Sequence, residues 1–383
     1  MRLLLSSFFL ALMIGHIGAL GLARYLPAFG ILLLLVLVPK RLAVPTDLVY
    51  LAFCIVMLVS ASVPLVTHGA TGSVPYVVAM GLSMVCYPIY SLRLLSRSDL
   101  LPTLVIGVAL VSTTFVVGRS GTIFDNSNNL STVIFCLAYV WAVAFAKQPS
   151  WLLVGLVVFP PLLITAGSRA QTVGLILFIG LYVYQKVLRN GRPLRKSAVL
   201  LLVGVSTAYF AILLGEAMSL IEGITEFMGS EKQVTDVSYR DVLALASIQI
   251  LAENPLGVGL GYSGIYIERL LGIPLSPHNA FLKIAVEAGL VFALAYVGLL
   301  VHMLLRYATP LATAFTIGMF VRSLFESATP FSLSLVSAFL FLPFFFNEYT
   351  VRYREKRRSP LSPISPGSAG GLEYASLPPS RGA

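Results

Sequence analysis

The sequence predicts an all-α fold, a polytopic transmembrane bundle of about twelve helices with one large exported loop containing a short interfacial helix. Three observations carry this expectation. The 383 residues are 57% hydrophobic and only 11% charged, whereas a soluble domain carries roughly one quarter charged residues. Apolar runs long enough for a hydrocarbon core of about 30 Å recur along the chain. Short turns of Pro, Gly, Arg and Lys separate them, and every second turn is basic.

The expected spans are 3–22, 25–39, 47–67, 74–92, 100–117, 130–146, 150–166, 170–188, 198–215, 280–304, 307–326 and 331–348. Pro-rich stretches such as Phe159-Pro160-Pro161 are expected either to kink a span or to end it. Short cytoplasmic loops hold an excess of Lys and Arg, so the basic turns orient the bundle. With the tail on the cytoplasmic side, Arg2, Lys40, Arg41, Arg93, Arg97, Lys147, Lys186, Arg189, Arg192, Arg195, Lys196 and Arg306 lie inside, with Arg352, Arg354, Lys356, Arg357 and Arg358. Outside remain Arg24, Arg119, Arg169, Lys232, Arg240, Arg269, Lys283 and Arg322. Their placement against the rule hints that they serve something there. The net charge of +10 then follows from topology and calls for no nucleic acid. The expectation is a multi-pass protein of a bacterial inner membrane, both termini cytoplasmic and the active face periplasmic.

Residues 1–351 form the expected membrane domain, and 352–383 a basic, then Pro/Ser/Gly-rich disordered tail. Arg2, an apolar stretch and small residues at Gly21 and Ala23 also fit a cleaved signal peptide over 1–23, without changing the parity of later loops. Cys54, Cys86 and Cys136 fall inside expected spans without metal-ligand spacing and are read as packing residues. The long exported segment is 216–279. Within it Tyr239 to Glu253 reads as a helix, capped by Ser238 and stopped by Asn254-Pro255, apolar but too short to span. The glycines of Gly257-Val258-Gly259-Leu260-Gly261 suit either close approach to a substrate or a plain connector.

Three polar features map to the exported face: Gly167-Ser168-Arg169, Tyr239-Arg240-Asp241 and Pro277-His278-Asn279. An Arg at membrane depth is costly, and two converging on one face suggest an anion. The guanidinium donates in a planar fork and stays charged, which suits a diphosphate head group emerging from lipid. The near-neutral pKa of a histidine suits proton removal from an attacking hydroxyl, the role His278 is placed to take. Each feature also has a plain structural reading. Arg169 can snorkel from a helix end, Arg240 can pair with Asp236 or Glu253, and His278, Ser168 and Asn279 can serve helix ends. Arg322 and Glu326 read either as further site groups or as an i, i+4 ion pair.

In this order the residues resemble the O-antigen ligases and the related O-antigen and exopolysaccharide polymerases. Thr165-Ala166-Gly167-Ser168-Arg169-Ala170 is similar to the family's Ser-Arg segment. Tyr239-Arg240-Asp241 followed by Ala252-Glu253-Asn254-Pro255-Leu256-Gly257-Val258-Gly259 resembles its loop pattern of Arg, short helix and Asn-Pro-Leu-Gly-x-Gly. Pro277-His278-Asn279-Ala280-Phe281-Leu282, with Glu287-Ala288-Gly289-Leu290 behind it, resembles its His-Asn-x-x-Leu and Glu-x-Gly-Leu segments. Phe124-Asp125-Asn126-Ser127-Asn128-Asn129 is a weaker counterpart, in which Asn129 or Ser131 equally reads as a helix N-cap.

The resemblance implies a metal-independent membrane glycosyltransferase without cofactor. Its donor would be a polyprenyl-diphosphate-linked glycan, and its acceptor a sugar of lipid A core or of a growing polysaccharide. It implies His278 as general base and Arg169 and Arg240 as holders of the donor diphosphate; Ser168, Asn279, Glu287 and Arg322 are read beside them as candidate supporting residues. The alternative class is a multi-span transporter of a sugar, lipid or ion. That class would place its polar site near mid-membrane with internal repeats, and the sequence shows no repeat.

Overall fold

The computed structural model describes residues 1–37, 47–117, 124, 127–166, 168–189, 192–195, 197, 198, 201, 239–272, 275–326 and 333–352. Its named elements are helices, joined at two places by isolated bridges, Ile17 with Phe124 and Ser96 with Arg352. The helices are α1 Arg2–Ile14, α2 Leu26–Leu37, α3 Leu48–Thr67, α4 Val74–Cys86, α5 Arg97–Val117, α6 Ser127–Phe145, α7 Pro149–Ala166 and α8 Arg169–Val187. There follow α9 Tyr239–Glu253, α10 Ser263–Leu271, α11 Ala280–Arg306, α12 Pro310–Ser323 and α13 Leu335–Phe345. The expected span 198–215, the loop segment 216–238 and the tail beyond Arg352 lie outside the described residues.

The all-α expectation holds, and the expected count of about twelve spans is not confirmed. Among the described residues, six helical segments are long and apolar enough to cross a membrane: Leu48–Thr67, Thr71–Leu92, Asn128–Phe145, Pro149–Ala166, Ala170–Val187 and Ala280–Arg306. Pro160 and Pro161 stay inside α7 and do not end it. Exposed apolar side chains such as Ile55, Val59, Val157, Ile164, Ile176 and Val187 give α3, α7 and α8 faces suited to lipid. Helices α1, α12 and α13 have 13, 14 and 11 residues, or about 17–21 Å at ~1.5 Å per residue. Apolarity in the sequence continues past their ends, while the backbone turns. His16 and the Gly18–Tyr25 3-10 turn end α1, Leu324 closes α12, and Ser334 caps α13.

Aromatic packing holds the middle of the bundle together. Phe9 of α1 stacks at 4.7 Å on Phe346, and Tyr139 of α6 lies 4.3 Å from Phe315 of α12. Aromatic pairs of this kind add about 0.5–1.5 kcal/mol to the area they bury. Helices α8 and α12 touch backbone to backbone, for a Cβ on Gly318 would come within 2.4 Å of the Gly174 carbonyl oxygen. Small residues let membrane helices approach in this way. The three cysteines are buried and free, as packing residues should be.

At one end of the bundle the basic turns gather. Asp47 hydrogen-bonds His302 at 2.6 Å and accepts from Tyr307 at 2.7 Å. Arg195 donates to the Ala308 carbonyl at 2.9 Å, Gln185 to that of Pro310 at 3.2 Å, and Arg352 N–H to that of Leu95 at 2.9 Å. This chain of contacts joins the turns that the charge pattern assigns to a common side. The starts of α4, α6, α8, α11 and α13 and the ends of α1 and α12 therefore meet at the opposite end.

Candidate functional site

At that opposite end lies a cavity of about 720 Å³, within the range of small-molecule sites. The short helices make room for it. Gly15 and His16 after α1, Arg322 on α12, and Leu333 and Ser334 before α13 line it. Arg24 and Tyr25, Tyr76 of α4, Asn129 and Thr132 of α6, and Lys283 of α11 complete its polar wall, with Leu26, Phe29 and Ala79 on the apolar side. Three basic residues expected on the exported side, Arg24, Lys283 and Arg322, thus share one chamber. No described lining residue is Asp or Glu.

Arg322 is 4% exposed. One guanidinium nitrogen, Nη2, reaches Thr132 Oγ1 at 3.5 Å, while Nε and Nη1 have no hydrogen-bond partner among the described residues. Among the described residues no ion pair within 4 Å joins Arg322 to Glu326, although the Glu326 carboxylate acts on the guanidinium through space. A buried cation with unmatched donors is expensive for the fold. Thr132 also accepts from Gln171 Nε2 at 3.4 Å, and Gln171 in turn accepts from the Ser168 hydroxyl. This relay connects the start of α8, where the Arg169 backbone opens the helix, with the Arg322 end of α12.

Asn279 caps α11: its side chain accepts from Leu282 N–H at 3.0 Å and donates to the Leu324 carbonyl at 3.1 Å. The chain therefore brings Pro277-His278-Asn279 beside the residue two positions past Arg322. His278 is half-buried there and is not among the residues lining the cavity. Glu287 is fully buried, accepts from Ser263 of α10 at 2.7 Å and lies 3.7 Å from Lys283 Nζ. It fixes the loop helix to α11 and holds the cavity lysine. Arg169 and Arg240 stand in the first turns of α8 and α9, and their side chains lie outside the described part.

The glycine stretch does something the sequence reading did not propose. Helix α11 breaks at Gly289, with φ 87° and ψ 168°. The broken turn frees the Val286 and Glu287 carbonyls, and Val258 N–H and Gly259 N–H take them at 2.9 and 2.8 Å. Leu290 N–H goes back to the Pro255 carbonyl at 3.1 Å. Buried backbone polar groups must be paired, and here the loop pairs those that the break releases. Asn-Pro-Leu-Gly-x-Gly and Glu-x-Gly-Leu are thus two halves of one interlock. Its core is Leu243, Ile250, Val258, Ile267 and Val286.

Sequence reading missed His16 and placed Asn129 as a possible cap. Asn129 lies inside α6 and bonds His16 Nδ1 at 3.2 Å, while His16 Nε2 accepts from Leu335 N–H at 3.3 Å. These partners assign the ring proton to Nδ1 and tie α1, α6 and α13 together at the chamber. No motif marks this contact, since its residues lie far apart in the chain.

Fold and cavity define the class first: an all-helical membrane protein with a cationic chamber at one end. Residues 153–297 match the family described as O-antigen ligase. This match supports membership of the O-antigen ligase-like superfamily, which its motifs resemble, and with it a membrane function of the ligase or polymerase type. The matched segment runs from α7 into α11 and contains Ser168, Arg169, Arg240, His278, Lys283 and Glu287. Arg24 and Arg322 lie outside it. No curated protein and no solved structure matches the chain.

Proposed function

We propose that the protein is a glycosyltransferase of the O-antigen ligase or polymerase type, acting at the periplasmic face of the inner membrane on a polyprenyl-diphosphate-linked oligosaccharide. The observation that carries this reading is a chamber lined by Arg24, Lys283 and Arg322, with no Asp or Glu among its described lining residues. In the reaction an acceptor sugar oxygen forms a bond to the donor's anomeric carbon, and the bond from that carbon to the diphosphate oxygen breaks. The acceptor proton passes to His278, which acts as general base. The polyprenyl diphosphate leaves with the bonding pair, and its charge is held by arginine, with Arg169 and Arg240 in that role. The acceptor is a lipid A core sugar or the end of a growing polysaccharide. A transporter would hold its polar groups near mid-depth, whereas these gather at one end of the bundle.

The experiment separates charge from geometry. Arg169→Lys and Arg240→Lys keep the cation and lose the planar fork. Each variant is expected to lose most donor turnover in nanodiscs while keeping its unfolding temperature. Parent-like turnover in both would mean that the arginines are only interfacial cations.

A further inference from the structure

We propose that Gln171 is a positioning residue for transfer, which registers the Ser168-Arg169 segment at the start of α8 against the chamber wall formed by α6 and α12. The proposal rests on the glycosyltransferase reading for the role of Arg169. Ser168-Arg169-Ala170-Gln171 has the spacing of a capping box, in which a serine before the helix and a glutamine three residues later bond backbone N–H groups of that turn. The structure departs from that pattern. Ser168 occupies the N-cap position of α8, but its side chain makes no capping bond, and its hydroxyl donates to Gln171 Oε1 instead. Gln171 is fully buried, and its Nε2 crosses to Thr132 Oγ1 of α6 at 3.4 Å. Two residues suited to stabilising their own helix are thus turned to hold a neighbour.

The direction of this chain of bonds follows from the hydroxyl in its middle. A threonine hydroxyl has one proton and two lone pairs. Thr132 gives its proton to the Asn128 carbonyl at 2.8 Å, so towards α8 and α12 it can only accept. Both neighbours are donors there, Gln171 through Nε2 and Arg322 through Nη2 at 3.5 Å. An ionised carboxylate at position 171 would offer Thr132 an oxygen it cannot bond, and an apolar side chain would offer nothing. The amide accepts from Ser168 and donates to Thr132 at once. The Ser168 carbonyl also accepts from Thr172 N–H at 3.1 Å and from Thr172 Oγ1 at 2.8 Å, so the first turn of α8 moves with Ser168. Thr132 and Arg322 line the chamber, whereas Gln171 is not among its described lining residues. Gln171 therefore acts through Ser168 and Thr132.

The full chain is reconstituted in nanodiscs, and transfer from an undecaprenyl-diphosphate-linked oligosaccharide is measured for parent, Gln171→Met, Gln171→Glu, Thr132→Val and the double variant Gln171→Met with Thr132→Val. Methionine fills the space of glutamine without the amide and frees the Ser168 hydroxyl to cap α8, so Gln171→Met is expected to unfold no lower than the parent. Its kcat is expected to fall roughly 10- to 100-fold, the size of a small misplacement of groups that act on the transition state, with donor KM changed far less. A rise in KM at unchanged kcat would make Gln171 part of uniform donor binding and overturn the positioning role. Because Gln171 and Thr132 act as one relay, the double variant is expected to be no slower than the slower single variant. Losses that multiply would show two independent residues and overturn the relay. If Gln171→Met fails to fold, Gln171→Glu is decisive: it keeps the acceptor for Ser168 and, when ionised, loses the donor to Thr132, and a parent-like kcat overturns the proposal. Parent-like kcat in Gln171→Met, with an active parent, overturns the proposal and leaves the glycosyltransferase reading intact. No product from the parent with the lipid-linked donor overturns both.

Discussion

Replacing Gly289 by Ala tests whether the two glycine motifs form one structural device. Gly289 stands at φ 87° and ψ 168°, a region essentially restricted to glycine, where another residue costs about 1–3 kcal/mol. Its added Cβ would meet the Leu256 carbonyl carbon at 2.6 Å and oxygen at 2.7 Å. These are backbone atoms held by the bond from Leu290 N–H to the Pro255 carbonyl, so the neighbour cannot simply rotate away. Overpacking of this kind costs a further ~1–3 kcal/mol. The sum is a destabilisation of about 2–6 kcal/mol, unless α11 straightens and releases Val258 and Gly259 from their carbonyls. The assay is thermal unfolding in detergent, alongside Gly30→Ala, whose Cβ would meet nothing within 4 Å. That control is expected to change stability by no more than about 1 kcal/mol. If Gly289→Ala unfolds with the control, the break in α11 does not need glycine, and the interlock is not what the motif encodes.

Two other expectations concern the opposite end of the bundle and the sidedness of the chain. Burial raises the pKa of the Asp47 carboxyl, but hydrogen bonds from Tyr307 and His302 outweigh it and bring it down from 3.8 to about 2. A depressed carboxylate contributes stability that is present above its unfolded value and lost as pH falls through the folded one. The unfolding-temperature gap between parent and Asp47→Asn should therefore be full at neutral pH and close as pH drops from 3.8 towards 2; a gap that stays constant over that window would show that the charge is not what matters. Reporters placed in the loop 216–279 should report export and those after Arg358 a cytoplasmic position, whereas cytoplasmic labelling of Lys232 would invert the bundle and remove the proposed site from the periplasm.

The parts of the fold read correctly from sequence were those governed by local rules. Tyr239–Glu253 is helical between the expected limits, because an apolar run before Asn254-Pro255 leaves the backbone little choice. Basic turns sorted to one end because the same charge rule acts on each of them. The α-helices end before the expected spans do where apolar composition continues: the 3-10 helix Gly18–Tyr25 and the C-cap Phe346 remain hydrophobic past the last α-helical residues. The basic residues expected on the exported side signalled the chamber, for the parity of the basic turns had already set apart Arg24, Lys283 and Arg322. Their convergence was not legible, since it depends on how short α1, α12 and α13 leave a space between them. Nor was the pairing of Gly257 with Gly289, since either glycine alone also suits a connector.

Transfer itself is the most direct measure of the central claim, that this end of the bundle joins a lipid-linked glycan to an acceptor with His278 taking the proton. The decisive experiment is single-turnover product formation in nanodiscs from a polyprenyl-diphosphate-linked oligosaccharide, comparing parent with His278→Ala at matched folding. The account predicts that product forms with the parent and that the variant is slower by about 10²–10⁴-fold, as for loss of a general base, with donor binding unchanged. Equal rates for parent and variant, or no product from the parent with any lipid-linked donor, would contradict it.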